Sequence, residues 1–262
     1  AIAVIGISTG PAAFGVGSIG VFLEGFQQAH GWSRAEISSA ITFLMLCTAV
    51  SVPVAGWLVD RFGPRRVLVP SIVALGLCMA ALPHVGALWQ LQAAYVAMGT
   101  LAAGSNSVAY MRVLTSWFDR SRGLAIGLAG SGTGLGFAYV PVVAQGLKDA
   151  YGFAAGYYGL AALALFVTLP LVVLFFRERG EGAVAAEAPA AAIGASLPDA
   201  LRGRDFWVLA AMFMSVTTVL YGLLPHLVPL IAGNGVPEAQ AAQIASLFGL
   251  AGFAGRIVIG FL

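Results

Sequence analysis

Eight stretches of about twenty residues, each with at most two charged side chains, divide this chain from end to end. They fall at 1–27, 37–59, 67–84, 88–114, 123–146, 153–176, 206–230 and 238–262. A helix rises ~1.5 Å per residue, so about twenty residues cross the ~30 Å hydrocarbon core of a bilayer. Inside that core the backbone N–H and C=O groups need partners, and a helix supplies them from its own turns. With 60% hydrophobic and only 9% charged residues, the chain has too little polar surface for a soluble domain. The expectation is an all-α, multi-pass integral membrane protein. A net charge of +2 gives no reason to expect a nucleic-acid partner. The run from residue 1 continues for about 24 residues without a cleavage-like ending, and is read as the first span rather than a signal peptide. Cys47 and Cys78 lie inside apolar runs, as small packing residues rather than a disulfide framework.

The cations orient these spans. Alternate connections carry Arg61, Arg65, Arg66, Arg112, Arg120, Arg122, Arg177, Arg179, Arg202 and Arg204, whereas the opposite set carries only Arg34 and Lys148. The positive-inside rule makes the first set cytoplasmic. Residues 177–205 are then a cytoplasmic linker, with the Ala/Pro-rich centre "AVAAEAPAAAIGAS". A displacement of 204 residues superposes Gly31 on Gly235, Ala35 on Ala239, Leu46 on Leu250, Val54 on Val258, Gly56 on Gly260 and Leu58 on Leu262. The second span therefore repeats as the eighth, and the first as the seventh. Two halves of six helices are expected: 1–176 as the first bundle, and 206–262 as the opening pair of the second, to which four further helices belong. The turn "GWSRAE" offers Ser33 and Glu36 as a capping box for the second span.

Charge and glycine concentrate in "GWLVDRFGPRR", residues 56–66. Gly56, Asp60, Arg61, Gly63, Arg65 and Arg66 in this stretch resemble the signature of the major facilitator superfamily between its second and third helices. Gly56 would admit a close helix and Gly63 a tight turn. Asp60 can accept hydrogen bonds from a facing helix N-terminus or pair with an arginine. The resemblance implies a conformational latch that holds the outward-facing state. A second stretch, "WFDRSRGLAIGLAGSGTGLG" (117–136), resembles the helix 4–5 signature of the monocarboxylate-transporter family, which includes bacterial oxalate/formate antiporters. "GWSRAEIS" and "FWVL…HLVPLIAGNGVPEAQAA" are similar to bacterial members. Arg120 and Arg122 supply the basic cluster of that signature. Gly123, Gly127, Gly130 and Gly134 follow at helical spacing, a smooth face against which another helix can pack and slide. Where the wider superfamily often has an arginine in its fourth helix, this chain has Ala94 and Tyr95.

Arg256 is the one cation inside a span and away from every connection. A guanidinium there costs roughly 3 kcal/mol on insertion scales, although snorkelling recovers part of it. The repeat places Val52 at the equivalent position, so the fold itself does not call for the charge. The resemblance aligns Arg256 with the helix 8 arginine that binds substrate carboxylate, a role suited to its planar fork of donors. Asn106 and Tyr110, four residues apart, are expected to share a helix face toward the cavity, with helix packing as the alternative. Animal proton-coupled relatives carry an aspartate and a lysine where this chain has Gly252 and Gly17. Glu24 and His226 are left as the candidate proton-linked groups. "GVGSIG" (15–20) has dinucleotide-binding spacing but follows no strand; with Pro11 it loosens the first helix.

The expectation is a secondary transporter of small organic anions, monocarboxylate or oxalate-like, working by alternating access in a bacterial inner membrane. Protons or a counter-anion are the expected coupling partners, and no cofactor or metal is expected. The alternatives are a major facilitator exporter of drugs or other solutes, and a transporter-like solute receptor. An enzyme is not expected, because no His, Cys or acidic pair shares a span at metal-ligand or acid–base spacing.

Overall fold

The computed structural model describes residues 2–117, 122–176 and 197–261, and all secondary structure among them is helical. Six helices are long and apolar enough to cross a membrane by length and composition: Ile2–His30, Arg34–Phe62, Pro64–His84, Gly123–Tyr151, Phe153–Phe175 and Glu238–Val258. They correspond to the first, second, third, fifth, sixth and eighth expected spans. The seventh is a continuous 29-residue helix, Arg204–Ala232.

The fourth span departs from expectation. It is two helices, Leu88–Leu101 and Ser107–Trp117, joined by a 3-10 turn at Ala103–Ser105. The turn is packed closely against the third span. A Cβ on Gly104 would lie 2.5 Å from the Ser71 hydroxyl and 2.6 Å from a Val67 methyl carbon, so the third span leaves no room for a side chain there. Part of the linker is also helical, at Leu197–Arg202, where Pro198 opens the turn and Asp199 and Arg202 match the two ends of its dipole. The "AVAAEAPAAAIGAS" stretch (183–196), Arg177, Arg179 and Arg120 lie outside the described residues.

The ends of the spans follow the turn chemistry. Ser33 and Glu36 form the expected capping box: the Glu36 amide donates to the Ser33 hydroxyl oxygen at 3.2 Å, and the Ser33 amide donates to the Glu36 carboxylate at 2.8 Å. Gly31 and Gly235 both adopt positive φ, +70° and +87°. The helices that follow start at Arg34 and Glu238. Both pairs are 204 apart, so the repeat in sequence is also a repeat in backbone conformation.

The first span is the axis of the packing: 72% of its apolar window is buried, against 22% for the second. Its Phe22 ring stacks on Tyr157 of the sixth span at 3.7 Å between centroids, and Phe26 meets Phe153 edge-on at 5.1 Å. Pro11 is followed by a π-helical turn, Ala12–Val16, so the first helix is indeed loosened there. The Tyr95 hydroxyl, on a fully buried side chain, donates to the Gly15 carbonyl of that turn at 3.2 Å. One core joins residues 3–176; a smaller one joins Val228 of the seventh span to Ala241 and Ala245 of the eighth. The second span turns Leu46, Val50, Val54 and Trp57 outward, an ordinary arrangement where the solvent is lipid.

Gly99, where the second and fourth spans cross, tests this packing. A Cβ there would sit 2.7 Å from the Leu44 carbonyl oxygen and 2.9 Å from the Cys47 Cβ. Gly99→Ala is expected to destabilise the protein by about 1–3 kcal/mol, as overpacking does. Gly146→Ala, where nothing lies within 4 Å of the added carbon, should leave stability unchanged or slightly raised. Thermal unfolding in detergent compares the two.

Candidate functional site

The fifth and eighth spans meet with almost no side chain between them. A Cβ on Gly249 would lie 2.6 Å from both the Ala138 Cα and the Gly134 carbonyl oxygen. One on Gly134 would lie 2.8 Å from the Gly252 carbonyl carbon and 2.9 Å from the Gly249 carbonyl oxygen. The contact is therefore backbone on backbone. It climbs in antiparallel register, Gly130 against Arg256, Gly134 against Gly252 and Phe253, Ala138 against Gly249, and Lys148 against Glu238. Gly130 and Gly134 both lie on this contact. Gly127 is half-buried and Gly123 exposed. Gly132 and Gly136 make a second smooth face: a Cβ on Gly136 would lie 2.6 Å from the Ala13 Cβ, and Gly132 meets the Val4 backbone. The fifth span is thin on two sides, toward the first span and toward the eighth.

Arg256 stands at the inner end of this contact. Its guanidinium donates to the Gly130 carbonyl at 2.8 Å, and the residue is otherwise exposed. Among the described residues no carboxylate lies within ion-pair distance of it. Gly252, one turn earlier, packs on Gly134, its Cβ position 3.9 Å from the Gly134 Cα. At Gly17 a Cβ would be 3.1 Å from the Phe137 ring, so the fifth span fills the space that a lysine there would need.

The expected cavity pair does not form a shared face. Asn106 precedes the helix that begins at Ser107, in extended conformation (φ −66°, ψ 173°), because the fourth span is broken at Gly104. Tyr110 is fully buried, its ring against Gly6 and edge-on to Phe176 at 5.7 Å. The Asn106 amide nitrogen and the Tyr110 hydroxyl are nevertheless both buried without a hydrogen-bond partner in the protein.

Around the Gly63 turn, Asp60 forms an ion pair with Arg112 of the fourth span, both side chains about half exposed. Arg61 lies over the Trp57 and Phe62 rings at 5.3 and 5.6 Å. Arg65 donates to the Val173 carbonyl in the last turn of the sixth span, where a cation complements the exposed carbonyls. Arg66 is exposed. Gly63 has φ +87° and makes the tight turn. Gly56 differs from expectation: a Cβ there would meet only Val108, at 3.9 Å, so no close helix uses it among the described residues. Arg122 opens the fifth helix.

At the opposite ends, Glu24 is half-buried and lies near Glu238. His226 is exposed on the seventh span. Sequence reasoning took Arg112 and Lys148 for topology signals alone and Tyr95 for a mere substitution. The spacing of Gly249 and Gly252 before Arg256 was the available sign of the fifth–eighth contact.

Comparison with known proteins adds three facts. The sequence profile described as Major Facilitator Superfamily matches residues 5–262. The chain is 29% identical over 221 residues to the oxalate:formate antiporter of Oxalobacter formigenes, covering 82% of this chain and 49% of the relative. It is 26% identical over 251 residues to monocarboxylate transporter 13 of Bos taurus (94% and 56%), and 29% identical over 163 residues to the multidrug resistance protein MdtG of Dickeya zeae strain Ech586 (61% and 38%). The chain spans about half the length of the first two.

The fifth–eighth contact can be tested directly. Cysteines at Gln145 and Glu238, whose side chains meet at 3.0 Å, introduced with Cys47 and Cys78 replaced by serine, should be joined readily by a short bifunctional thiol reagent. Adding Gly134→Leu should abolish most of the cross-link, because a side chain of that size forces two backbones apart.

Proposed function

Since the chain belongs to the major facilitator superfamily, a family of integral membrane transporters, we propose that it is part of a secondary active carrier of small organic anions. The substrate class is monocarboxylate or oxalate-like, and movement is by alternating access. Arg256 carries this proposal. An arginine inside a span is costly, and here its guanidinium meets a neutral carbonyl rather than an acid. A carboxylate bound to the remaining donors would neutralise it in the two-pronged geometry that guanidinium favours. The likeness to proteins named as an oxalate:formate antiporter and a monocarboxylate transporter supports the same substrate class. The unpartnered Asn106 and Tyr110 groups are further candidate ligands, reachable once the helices around them shift. A drug exporter is favoured by the likeness to MdtG, but it leaves the cation in the eighth span without a role.

Glu24 is the stronger of the two candidate proton carriers. It is a half-buried carboxylate close to a second one, Glu238, and to the Lys148 ammonium. His226 lacks such a setting. The coupling species is accordingly a proton or a counter-anion, and the membrane a bacterial inner membrane with the linker on the cytoplasmic side. The Asp60–Arg112 pair acts as the inner latch, with Arg61, Arg65 and Arg66 fixing the turn around it; Arg120 and Arg122 are assigned to the same latch from their sequence motif.

In the complete protein in liposomes, Arg256→Lys should weaken carboxylate binding and Arg256→Gln should weaken it more, by roughly 1.5–3 kcal/mol or about tenfold to a hundredfold. A neutral amide analogue should bind poorly to the wild type and be indifferent to either change. Full carboxylate affinity in well-folded Arg256→Gln protein would remove the site.

For the latch, Asp60→Asn and Arg112→Gln should each shift the population between inward and outward states, and the double variant should shift it no further. Cysteine accessibility from the two membrane faces reads the shift. An effect of about 1–3 kcal/mol is expected of a conformational coupling, more than an exposed pair contributes to stability alone.

A further inference from the structure

The fifth–eighth contact that ends in Arg256 on the inner side ends in a second, separate charge cluster on the outer side. The Lys148 ammonium donates to the Glu238 carboxylate at 2.7 Å and to the Val21 carbonyl of the first span at 2.9 Å. The Gln145 amide nitrogen donates to the same Glu238 carboxylate at 3.0 Å and to Asp149 at 2.8 Å. Glu24 of the first span and Arg34 lie near this cluster. Lys148 and Glu238 are partly buried, with 18% and 33% of their side chains exposed. From Gly130 to Lys148 the helix rises ~27 Å, so these groups stand far above Arg256 and cannot share its ligand.

Three features set the cluster apart from ordinary surface charge. It ties one residue of the eighth span to side chains and backbone of the first and fifth, so it crosses between elements that the internal repeat assigns to opposite halves. One carboxylate, that of Glu238, accepts from both Lys148 and Gln145 of the fifth span. The repeat also does not require it: the position equivalent to Glu238 is Arg34, of opposite charge. Partly buried, multiply hydrogen-bonded charges hold a defined geometry better than isolated surface pairs. Glu238 is also the first residue of its helix, where the dipole favours a negative charge and the side chain is fixed at the span entrance.

We propose that Lys148, Gln145 and Glu238 form an outer clasp that closes the external end of the passage between the halves and must break for the outer side to open. This rests on the transporter reading but not on the anion it carries. Breaking the clasp frees Glu238 from Lys148 while Lys148 keeps its bond to the first span, so the eighth span is the part released.

The test uses the complete protein with spin labels at Tyr151 and Ala239, both exposed at the outer ends of the fifth and eighth spans, and measures their distance distribution without substrate. Lys148→Glu and Glu238→Lys should each raise the population of longer distances by about tenfold, in the range of conformational couplings. The combined swap, which restores opposite charges, should return most of the population to the short distance. Glu238→Gln, a neutral change that places no repulsive charge in the cluster, should shift the distribution the same way by less. Unchanged distances in Glu238→Gln, or single shifts that the swap fails to reverse, would overturn the clasp. Distances that respond as stated in a protein that binds no carboxylate would leave the clasp standing and remove only the anion reading.

Discussion

Two helices can approach until their backbones touch only where neither presents a side chain, and this structure is organised around such an approach. Gly134, Gly249 and Gly252 bring the fifth and eighth spans together with main-chain atoms as the contact surface. Within a bilayer there is no hydrophobic drive to pair one apolar helix with another, so close van der Waals fit supplies the attraction. A contact of this kind has no interlocking side chains to resist sliding. It also leaves the polar groups nowhere to stand but the two ends, and there they are: Arg256 against Gly130 at the inner end, Lys148 and Glu238 at the outer.

The two ends differ in chemistry in a way that suits a carrier. At the outer end the charges satisfy one another, and Glu238 collects bonds from Lys148 and Gln145. At the inner end the cation is left on a neutral carbonyl, a state that invites an anion. The first span runs between these elements and carries its own adaptable point, the π-helical turn after Pro11. Tyr95 holds that turn through the Gly15 carbonyl. An arginine is the usual group at this depth of the fourth helix in the wider superfamily that the sequence resembles. Here Ala94 and Tyr95 stand in that region, and the Tyr95 phenol makes a structural contact.

Much of this was legible in the residues. Apolar length gave the spans, the Ser33–Glu36 pattern gave a helix start, and the 204-residue displacement anticipated the matched turns at Gly31 and Gly235. Gly130 and Gly134 were picked out by spacing alone. What escaped was set by tertiary contact. Gly104 reads as one more apolar-span glycine until the third span is seen pressed against it, and the break there puts Asn106 outside the helix of Tyr110. Gly56 reads as a close-packing site, yet only Val108 lies near. Lys148 and Arg112 read as topology signals because positive-inside counting has no term for the partner across the bundle, and Glu238 and Asp60 are those partners.

The central claim is that Arg256 waits for a carboxylate. Crystals of the complete protein soaked with a brominated small carboxylate would show where the anion sits through the anomalous signal of bromine. The account predicts a bromine peak beside the Arg256 guanidinium, with carboxylate oxygens on its donors. The same soak with the matching brominated amide should leave that position empty. A carboxylate bound elsewhere, with Arg256 still donating to the Gly130 carbonyl and no anion near it, would contradict the claim.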